Sequence, residues 1–269
     1  MASQAITSET PHGLSVGNVF SRSFNVIKAN PVATLGLTFV LIAVPQLVID
    51  LLMGPAWRAA QANQGLYVGI GLYGIVAALL WLVAYGALIH VAIAHDQGRT
   101  ARVAEVLRLG VSRALPLLAV QILFLIGVWL GFVFLVVPGI ILAVMWSVST
   151  TAVVAERTGI FGAFGRSRAL TKGARWRVFG IGLLAIVIYF LVSLALGIGS
   201  MAASGTLGAF SGHVETAAVQ SPSILLQLLQ SVITAAIITW ATLVFAAIFI
   251  ELRHWKDGPD VDRLTEIFA

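Results

Sequence analysis

Long apolar stretches alternate with short polar segments along this chain. Six stretches stand out, at 31–53, 66–94, 115–136, 139–155, 177–200 and 224–250. A helix needs about 20 mostly apolar residues to cross the hydrocarbon core of a bilayer, within a range of about 17–25. The pattern therefore predicts an all-α integral membrane protein with six transmembrane helices.

The third and fourth stretches are separated only by Pro138 and Gly139. Proline cannot continue a helix and glycine permits a tight turn, so we predict a short hairpin at this point. One bent span is the alternative. It would place the basic segments 102–113 and 157–177 on opposite sides of the membrane, which the distribution of charge argues against.

That distribution is strongly one-sided. Fifteen of the sixteen Lys and Arg residues fall on the same side of the six-span plan, and Arg58 alone falls on the other. Because an excess of Lys and Arg marks the cytoplasmic loops, we expect both termini to be cytoplasmic. Composition agrees, since 10% of residues are charged and the mean hydropathy is +0.99, whereas soluble proteins carry roughly 25% charged residues.

The segments before spans 1, 3 and 5 share an amphipathic pattern. Arg22 and Lys28 match Arg166 and Lys172 at an offset of 144, and the second segment repeats the apolar phase without the charges. Such helices can lie in the headgroup plane, and a connecting helix packed on the bundle is the alternative. We predict a degenerate threefold repeat in which an amphipathic interfacial helix precedes each of three hairpins. The approximate units are 14–96, 100–156 and 158–254, within one membrane domain that ends in a cytoplasmic tail at 255–269.

Each predicted hairpin ends with an acidic residue: Asp96, Glu156 and Glu251. An acid beside hydrocarbon needs a partner, so we expect these acids to pair with arginines of the interfacial helices. A proton or ion relay is the alternative. Basic side chains at span ends also meet anionic lipid. The predicted lipid headgroup collar consists of Arg22, Lys28, Arg108, Arg166, Arg168, Lys172 and Arg175.

Asp50 is a second candidate, in the outer part of span 1. It lies four residues after Gln46, so the two share a helix face. Ionisable groups within spans are functional candidates, and together with Gln121 these residues predict a polar cavity. For Asp50, a shallow position near the outer headgroups or a pairing with Arg58 is the alternative.

Motifs typical of catalysis or metal binding are weak in this sequence. Gly69, Gly71 and Gly74 spell a dinucleotide-binding pattern, but they lie inside an apolar span, where small residues favour close helix packing. The five histidines form no metal-ligand set, and the chain has no cysteine. We therefore expect a non-enzymatic protein without cofactor or metal, and without nucleic acid as a partner.

One stretch, roughly 135–185, carries a family resemblance. Its pattern comprises Pro138-Gly139, Trp146, Glu156, Arg166-Ser167, Leu170, Lys172-Gly173 and Arg175-Trp176-Arg177. This pattern resembles the membrane domain of bacterial glycerophosphoryl diester phosphodiesterases and its stand-alone relatives. In fused members a separate soluble barrel performs catalysis, so no catalytic residue carries over. The resemblance implies a multi-pass helical protein of the bacterial inner membrane, associated with phospholipid metabolism.

Taken together, these features predict a protein that engages anionic phospholipid. It would organise, sense or transport lipid, or act as an accessory subunit, and a homo-oligomer or a membrane-protein partner fits either role. The alternative function is a small-solute or ion channel or transporter with a polar route near Asp50.

Overall fold

A computed structural model describes residues 14–48, 67–203 and 223–258. All regular secondary structure in these ranges is helical. The helices in chain order are α1 (Val16–Ala29), α2 (Val32–Val48, with π-helical stretches at Val32–Gly36 and Phe39–Ala43), α3 (Tyr67–Asp96), α4 (Val103–Phe134), α5 (Val136–Met145), α6 (Ser149–Ala155), α7 (Ile160–Thr171), α8 (Arg175–Ala203) and α9 (Ile224–Asp257).

Five segments of the described chain are long and apolar enough to cross a membrane. They are Gly74–Asp96, Val103–Phe134, Val136–Ala155, Arg175–Ala202 and Ile224–Asp257. Counting the bent pair α1 and α2 as one span raises the number to six. The chain is therefore an all-helical protein with the length and composition of a multi-pass membrane protein. The first predicted span corresponds to α2, whose described part ends at Val48.

The bend between α1 and α2 measures 88° and lies at Asn30 and Pro31. The residue before a proline is disfavoured in helical conformation, and Asn30 leaves it with φ −138° and ψ 60°. Proline is tolerated in the first turn of the helix that follows, because its missing N–H would have no partner there. The bend turns α1 nearly perpendicular to α2, and α1 packs against α3 and α9. Whether α1 lies in the membrane plane stays a prediction. Its inner face buries Val19, Ser23 and Val26.

The second amphipathic segment differs from the prediction. It is continuous with span 3, and together they form the 32-residue helix α4. At about 1.5 Å per residue this helix is about 48 Å long, whereas the hydrocarbon core is about 30 Å thick. Its first dozen or so residues therefore extend beyond the core as part of α4 rather than forming a separate helix. The threefold repeat remains a prediction.

The turn predicted between spans 3 and 4 is present, but it lies earlier than expected. Leu135 alone separates α4 from α5, with φ −165° and ψ 148°, and Pro138 sits in the first turn of α5. The two helices pack side by side and antiparallel. Their backbones approach closely where Gly131 meets Gly139, since a Cβ added at Gly131 would lie 2.8 Å from the Cα of Gly139.

Between α5 and α6 the helix is interrupted at 146–148, and α7 packs across the interruption. The break leaves the carbonyl of Met145 accessible, and the Ser167 hydroxyl of α7 donates to it at 2.9 Å. On its inner face α7 buries Ala163, Ser167 and Leu170. This contact fixes α7 against the fourth span.

At the centre of the bundle lies α9. It packs against α1, α2, α3, α6, α7 and α8. In the most apolar part of α9, 61% of residues are buried, against 17% in α4 and in α8. α9 therefore forms the core of the bundle, and α4 and α8 present most of their surface outward.

The glycine contact between α4 and α5 yields a first prediction. Gly131→Ala should lower the free energy of unfolding by about 1–3 kcal/mol, because its methyl group meets backbone that must move aside. Thermal unfolding of the detergent-solubilised protein measures the change.

The control for that measurement is Gly180→Ala in α8. A Cβ at Gly180 meets nothing within 4 Å, and alanine favours helix over glycine. The control should therefore unfold at the native temperature or slightly above it. Equal unfolding temperatures for the two variants would contradict the close contact.

Candidate functional site

Arg22 of α1 bridges two carboxylates at the ends of α3 and α9. Its Nη1 donates to Oδ1 of Asp96 at 2.5 Å, and its Nε donates to Oε1 of Glu251 at 3.1 Å. The Nε2 of His254 lies 3.1 Å from the other oxygen of Asp96. The side chains of Asp96 and Glu251 are only 16% and 15% exposed, so the guanidinium replaces hydration that both acids have lost.

Arg166 of α7 makes a corresponding bridge between Glu156 and Asp257. Its Nε and Nη2 donate to the two oxygens of Glu156 at 2.7 and 2.8 Å, the bidentate geometry that an arginine fork favours. It also contacts Asp257 at the end of α9. The hydrogen bonds that Arg166 donates to Glu156 outweigh partial burial and raise the pKa of Arg166 above its ordinary value, so this residue stays charged.

The two arginines stand at equivalent positions of the first and third amphipathic segments, 144 residues apart. Each holds the acid at the end of one span together with an acid from the last turns of α9. The predicted pairing of the three span-end acids with arginines is therefore present. Arg22 and Arg166, which the sequence placed in the lipid collar, are occupied by carboxylates of the protein itself.

Sequence reasoning missed two members of these clusters, His254 and Asp257. Together with Glu251 they are spaced three residues apart on α9. Each step of three residues falls about 60° short of a full helical turn, so Glu251 and Asp257 point about 120° apart. This spacing lets α9 offer one acid to α1 and another to α7, and it was visible in the sequence.

The ionic contacts define one end of the bundle, which we call the basic end. The end of α3, the end of α6 and the last turns of α9 meet α1 and α7 there. The turn that leads into α8 joins them at Gly173, where an added Cβ would lie 3.5 Å from the ring of Trp255. Gly173 has φ +88°, a conformation that favours glycine, and this allows the tight turn from α7 into α8.

The other collar residues stand apart from the two clusters. Lys28, Arg108, Arg168 and Lys172 are exposed and form no ion pair with any described residue. Arg175 is half-buried, and its Nε is buried without a hydrogen-bond partner in the described part of the chain. The seven predicted collar residues thus divide into two that are bound by carboxylates, four that are exposed, and the half-buried Arg175.

A cavity of about 520 Å³ lies among α3, α4, α5, α6, α8 and α9. The helices α3, α4, α5, α8 and α9 form a ring around it, in which each contacts the next and the contact of α5 with α8 is the least extensive. Its size falls within the range of about 300–1,000 Å³ typical of ligand sites. Its walls are mostly apolar and aromatic, including Trp81, Phe124, Phe132, Trp146, Phe179, Leu183, Ile186 and Phe245.

Of the residues expected from the sequence to form a polar cavity, only some line the cavity that the structure contains. Gln121 lines the cavity, whereas Gln46 on α2 does not. Asp50 lies outside the described residues, as do Arg58 and most of the predicted tail, from 259 to 269. Sequence reasoning missed the other polar side chains of the lining, among them Tyr85 and Thr150, whose hydroxyl oxygens lie 3.1 Å apart.

Within 14–48, 67–203 and 223–258, no three or more His, Cys, Asp or Glu side chains are grouped so that they could hold a metal ion. Comparison of the chain with protein-family models, with curated proteins and with solved structures finds no match. The resemblance to the phosphodiesterase membrane domain therefore stays a prediction.

The Arg166 cluster yields a second prediction. Arg166→Gln should lower the free energy of unfolding by about 2 kcal/mol, between the values for exposed and buried ion pairs, because Glu156 and Asp257 lose their partner. Arg166→Lys keeps the charge but loses the bidentate geometry, so its loss should be smaller. Chemical unfolding in detergent measures both.

Arg168→Gln provides the matched control, because Arg168 lies on the same helix and is exposed. It should change stability by less than about 0.5 kcal/mol. A loss as large as that of Arg166→Gln would show that charge on α7, rather than the specific bridge, sets the stability.

Proposed function

We propose that this protein is a non-enzymatic, multi-pass protein of the bacterial inner membrane that engages anionic phospholipid at its basic end. In this proposal six spans form three hairpins, and the basic end and both termini face the cytoplasm. The one-sided distribution of Lys and Arg supports that orientation.

One observation carries the proposal: the basic end keeps cations that form no ion pair with the acids in the described part of the chain. Arg22 and Arg166 are bound by carboxylates, while Lys28, Arg108, Arg168 and Lys172 remain exposed. Exposed Lys and Arg side chains beside a membrane attract anionic headgroups with about 1 kcal/mol each. Four such residues at one end of the bundle favour anionic over zwitterionic lipid.

Aromatic side chains at the same end support a position at the lipid headgroups. Trp176, between Arg175 and Arg177, is 86% exposed, and Phe161 at the start of α7 is 80% exposed. Tryptophan is enriched where hydrocarbon meets headgroups, because its ring is apolar and its N–H is polar. The basic end therefore combines cations with aromatic anchors, as a membrane-facing surface does.

The resemblance to the phosphodiesterase membrane domain points in the same direction, since it associates this chain with phospholipid metabolism. The proposed roles are lipid organisation, sensing or transport, or service as an accessory subunit to a membrane-protein partner or within a homo-oligomer. A small-solute or ion route near Asp50 is the competing proposal. Of the two described residues of that route, only Gln121 lines the cavity, and we therefore prefer lipid.

The test is a variant in which Lys28, Arg108, Arg168 and Lys172 are all changed to glutamine. Native mass spectrometry then compares retained phosphatidylglycerol with retained phosphatidylcholine. We expect the preference for phosphatidylglycerol to fall at least about tenfold, since four cations supply several kcal/mol at low salt and about 1.4 kcal/mol corresponds to tenfold. The unfolding temperature should change little, because all four side chains are exposed.

A charge-preserving variant, with Lys28→Arg, Lys172→Arg, Arg108→Lys and Arg168→Lys, serves as the control and should keep the native preference. An unchanged preference in the glutamine variant would refute the proposal.

A further inference from the structure

We propose that the cavity holds one acyl chain of an anionic phospholipid from the cytoplasmic leaflet, with the lipid phosphate at Arg175. This inference rests on the proposed function and assigns it a specific binding site. The occupant is a bilayer phospholipid rather than a soluble ligand, for the reasons that follow.

A single face of α8 connects Arg175 with the cavity. Arg175 is followed on this face, at intervals of three and four residues, by cavity-lining residues: Val178, Phe179, Gly182, Leu183, Ile186 and Tyr189. Residues at these intervals stack along one side of a helix. Arg175 therefore lies at the basic end of an otherwise uncharged stripe. A lipid headgroup bound there would have its acyl chain along the stripe.

Arg175 has the properties expected of a headgroup ligand. It is half-buried, and its Nε is buried without a hydrogen-bond partner among the described residues. A buried guanidinium N–H that lacks a partner carries an energetic cost. Phosphate oxygens satisfy an arginine well, because its planar fork of donors matches their geometry.

The length of the lining stripe matches one leaflet. From Val178 to Tyr189 the helix rises about 16 Å, at about 1.5 Å per residue. Half of a hydrocarbon core about 30 Å thick is about 15 Å. An acyl chain whose phosphate lies at Arg175 would therefore follow the stripe to the middle of the membrane.

The cavity opens sideways, along the flank of the bundle. Leu183, Ile186 and Tyr189 on α8 and Phe132 on α4 line it and are also exposed. These residues belong to membrane-spanning segments, so the opening faces lipid tails rather than water. The weak contact of α5 with α8 marks where a chain can enter.

The chemistry of the lining favours hydrocarbon over a polar solute. Tyr85 and Thr150, two of the polar residues in the lining, are hydrogen-bonded to each other. Each hydroxyl group therefore already has a polar partner within the protein, and most of the remaining lining is aliphatic or aromatic.

The test uses two glycines of α8 that face opposite ways. Gly182 lines the cavity, and a Cβ there would lie 3.9 Å from Phe245, whereas a Cβ at Gly180 meets nothing within 4 Å. We expect Gly182→Phe to reduce retention of the most tightly bound phosphatidylglycerol at least tenfold in native mass spectrometry. Gly180→Phe should stay within twofold of the native chain.

A second pair of variants tests the headgroup contact. Arg175→Gln should lower retention of the same phosphatidylglycerol at least fivefold, and Arg177→Gln, two residues away and off the stripe, should change it less than twofold. If Gly182→Phe fails to fold, Leu183→Trp replaces it as the test and the neighbouring Leu184→Trp as its control. Only Leu183→Trp should then reduce retention of phosphatidylglycerol. Both leucines are exposed, but only Leu183 lines the cavity.

The outcomes separate this inference from the proposed function. Native retention in Gly182→Phe, with the preference for phosphatidylglycerol preserved, would overturn the cavity assignment alone. Equal retention of phosphatidylglycerol and phosphatidylcholine by the native chain would overturn the proposed function. A dimer that disappears in Gly182→Phe while lipid retention is unchanged would assign the cavity to a second copy of the chain and overturn the inference.

Discussion

A carboxylate at the edge of the hydrocarbon layer needs a cation, because little water remains there to solvate its charge. We expect such positions for Asp96 at the end of α3, for Glu156 directly after α6, and for Glu251 in the last two turns of α9. Arg22 and Arg166 form ion pairs with these three acids, and Arg166 also pairs with Asp257. The arrangement of the basic end follows from this requirement, since each arginine must reach two helices at once.

The central helix α9 links the two clusters. It supplies an acid to each of them from successive turns, and it is also the most deeply buried of the spanning helices. Its rotation about its own axis is therefore fixed from both sides, by α1 and by α7. With α9 fixed, α3 and α8 pack against it, and α4 and α5 complete the ring around the cavity.

In the function we propose, the remaining cations would carry the interaction with lipid, because Arg22 and Arg166 are committed to acids. The exposed residues Lys28, Arg108, Arg168 and Lys172 act on headgroups in general, through charge. Arg175 differs, because it is half-buried and continues the stripe that lines the cavity. The proposed lipid interaction thus combines a general attraction of anionic headgroups with one defined position.

Much of this organisation follows from local sequence. The spans, the one-sided charge and the pairing of span-end acids with arginines depend on composition and on the cost of an unpaired charge, so they were predictable. The continuity of α4 was not predictable in this way. The pattern of the first and third segments suggested a separate helix before span 3, whereas the helix continues through Pro116. The turn at Leu135 reflects the glycine contact of Gly131 with Gly139, and the cavity depends on the spacing of five helices, which no single segment encodes.

The most direct test of the account is a double-mutant cycle between Arg22 and Glu251, with Arg22→Gln, Glu251→Gln and the double variant unfolded in detergent. The two side chains are joined at 3.0 Å between Nη2 and Oε1, and neither is fully exposed. We expect the two residues to be coupled by about 1–3 kcal/mol, as residues in one ionic network are. If the losses of unfolding free energy in the two single variants summed to the loss in the double variant within about 0.3 kcal/mol, the sites would be independent. That result would contradict the coupling.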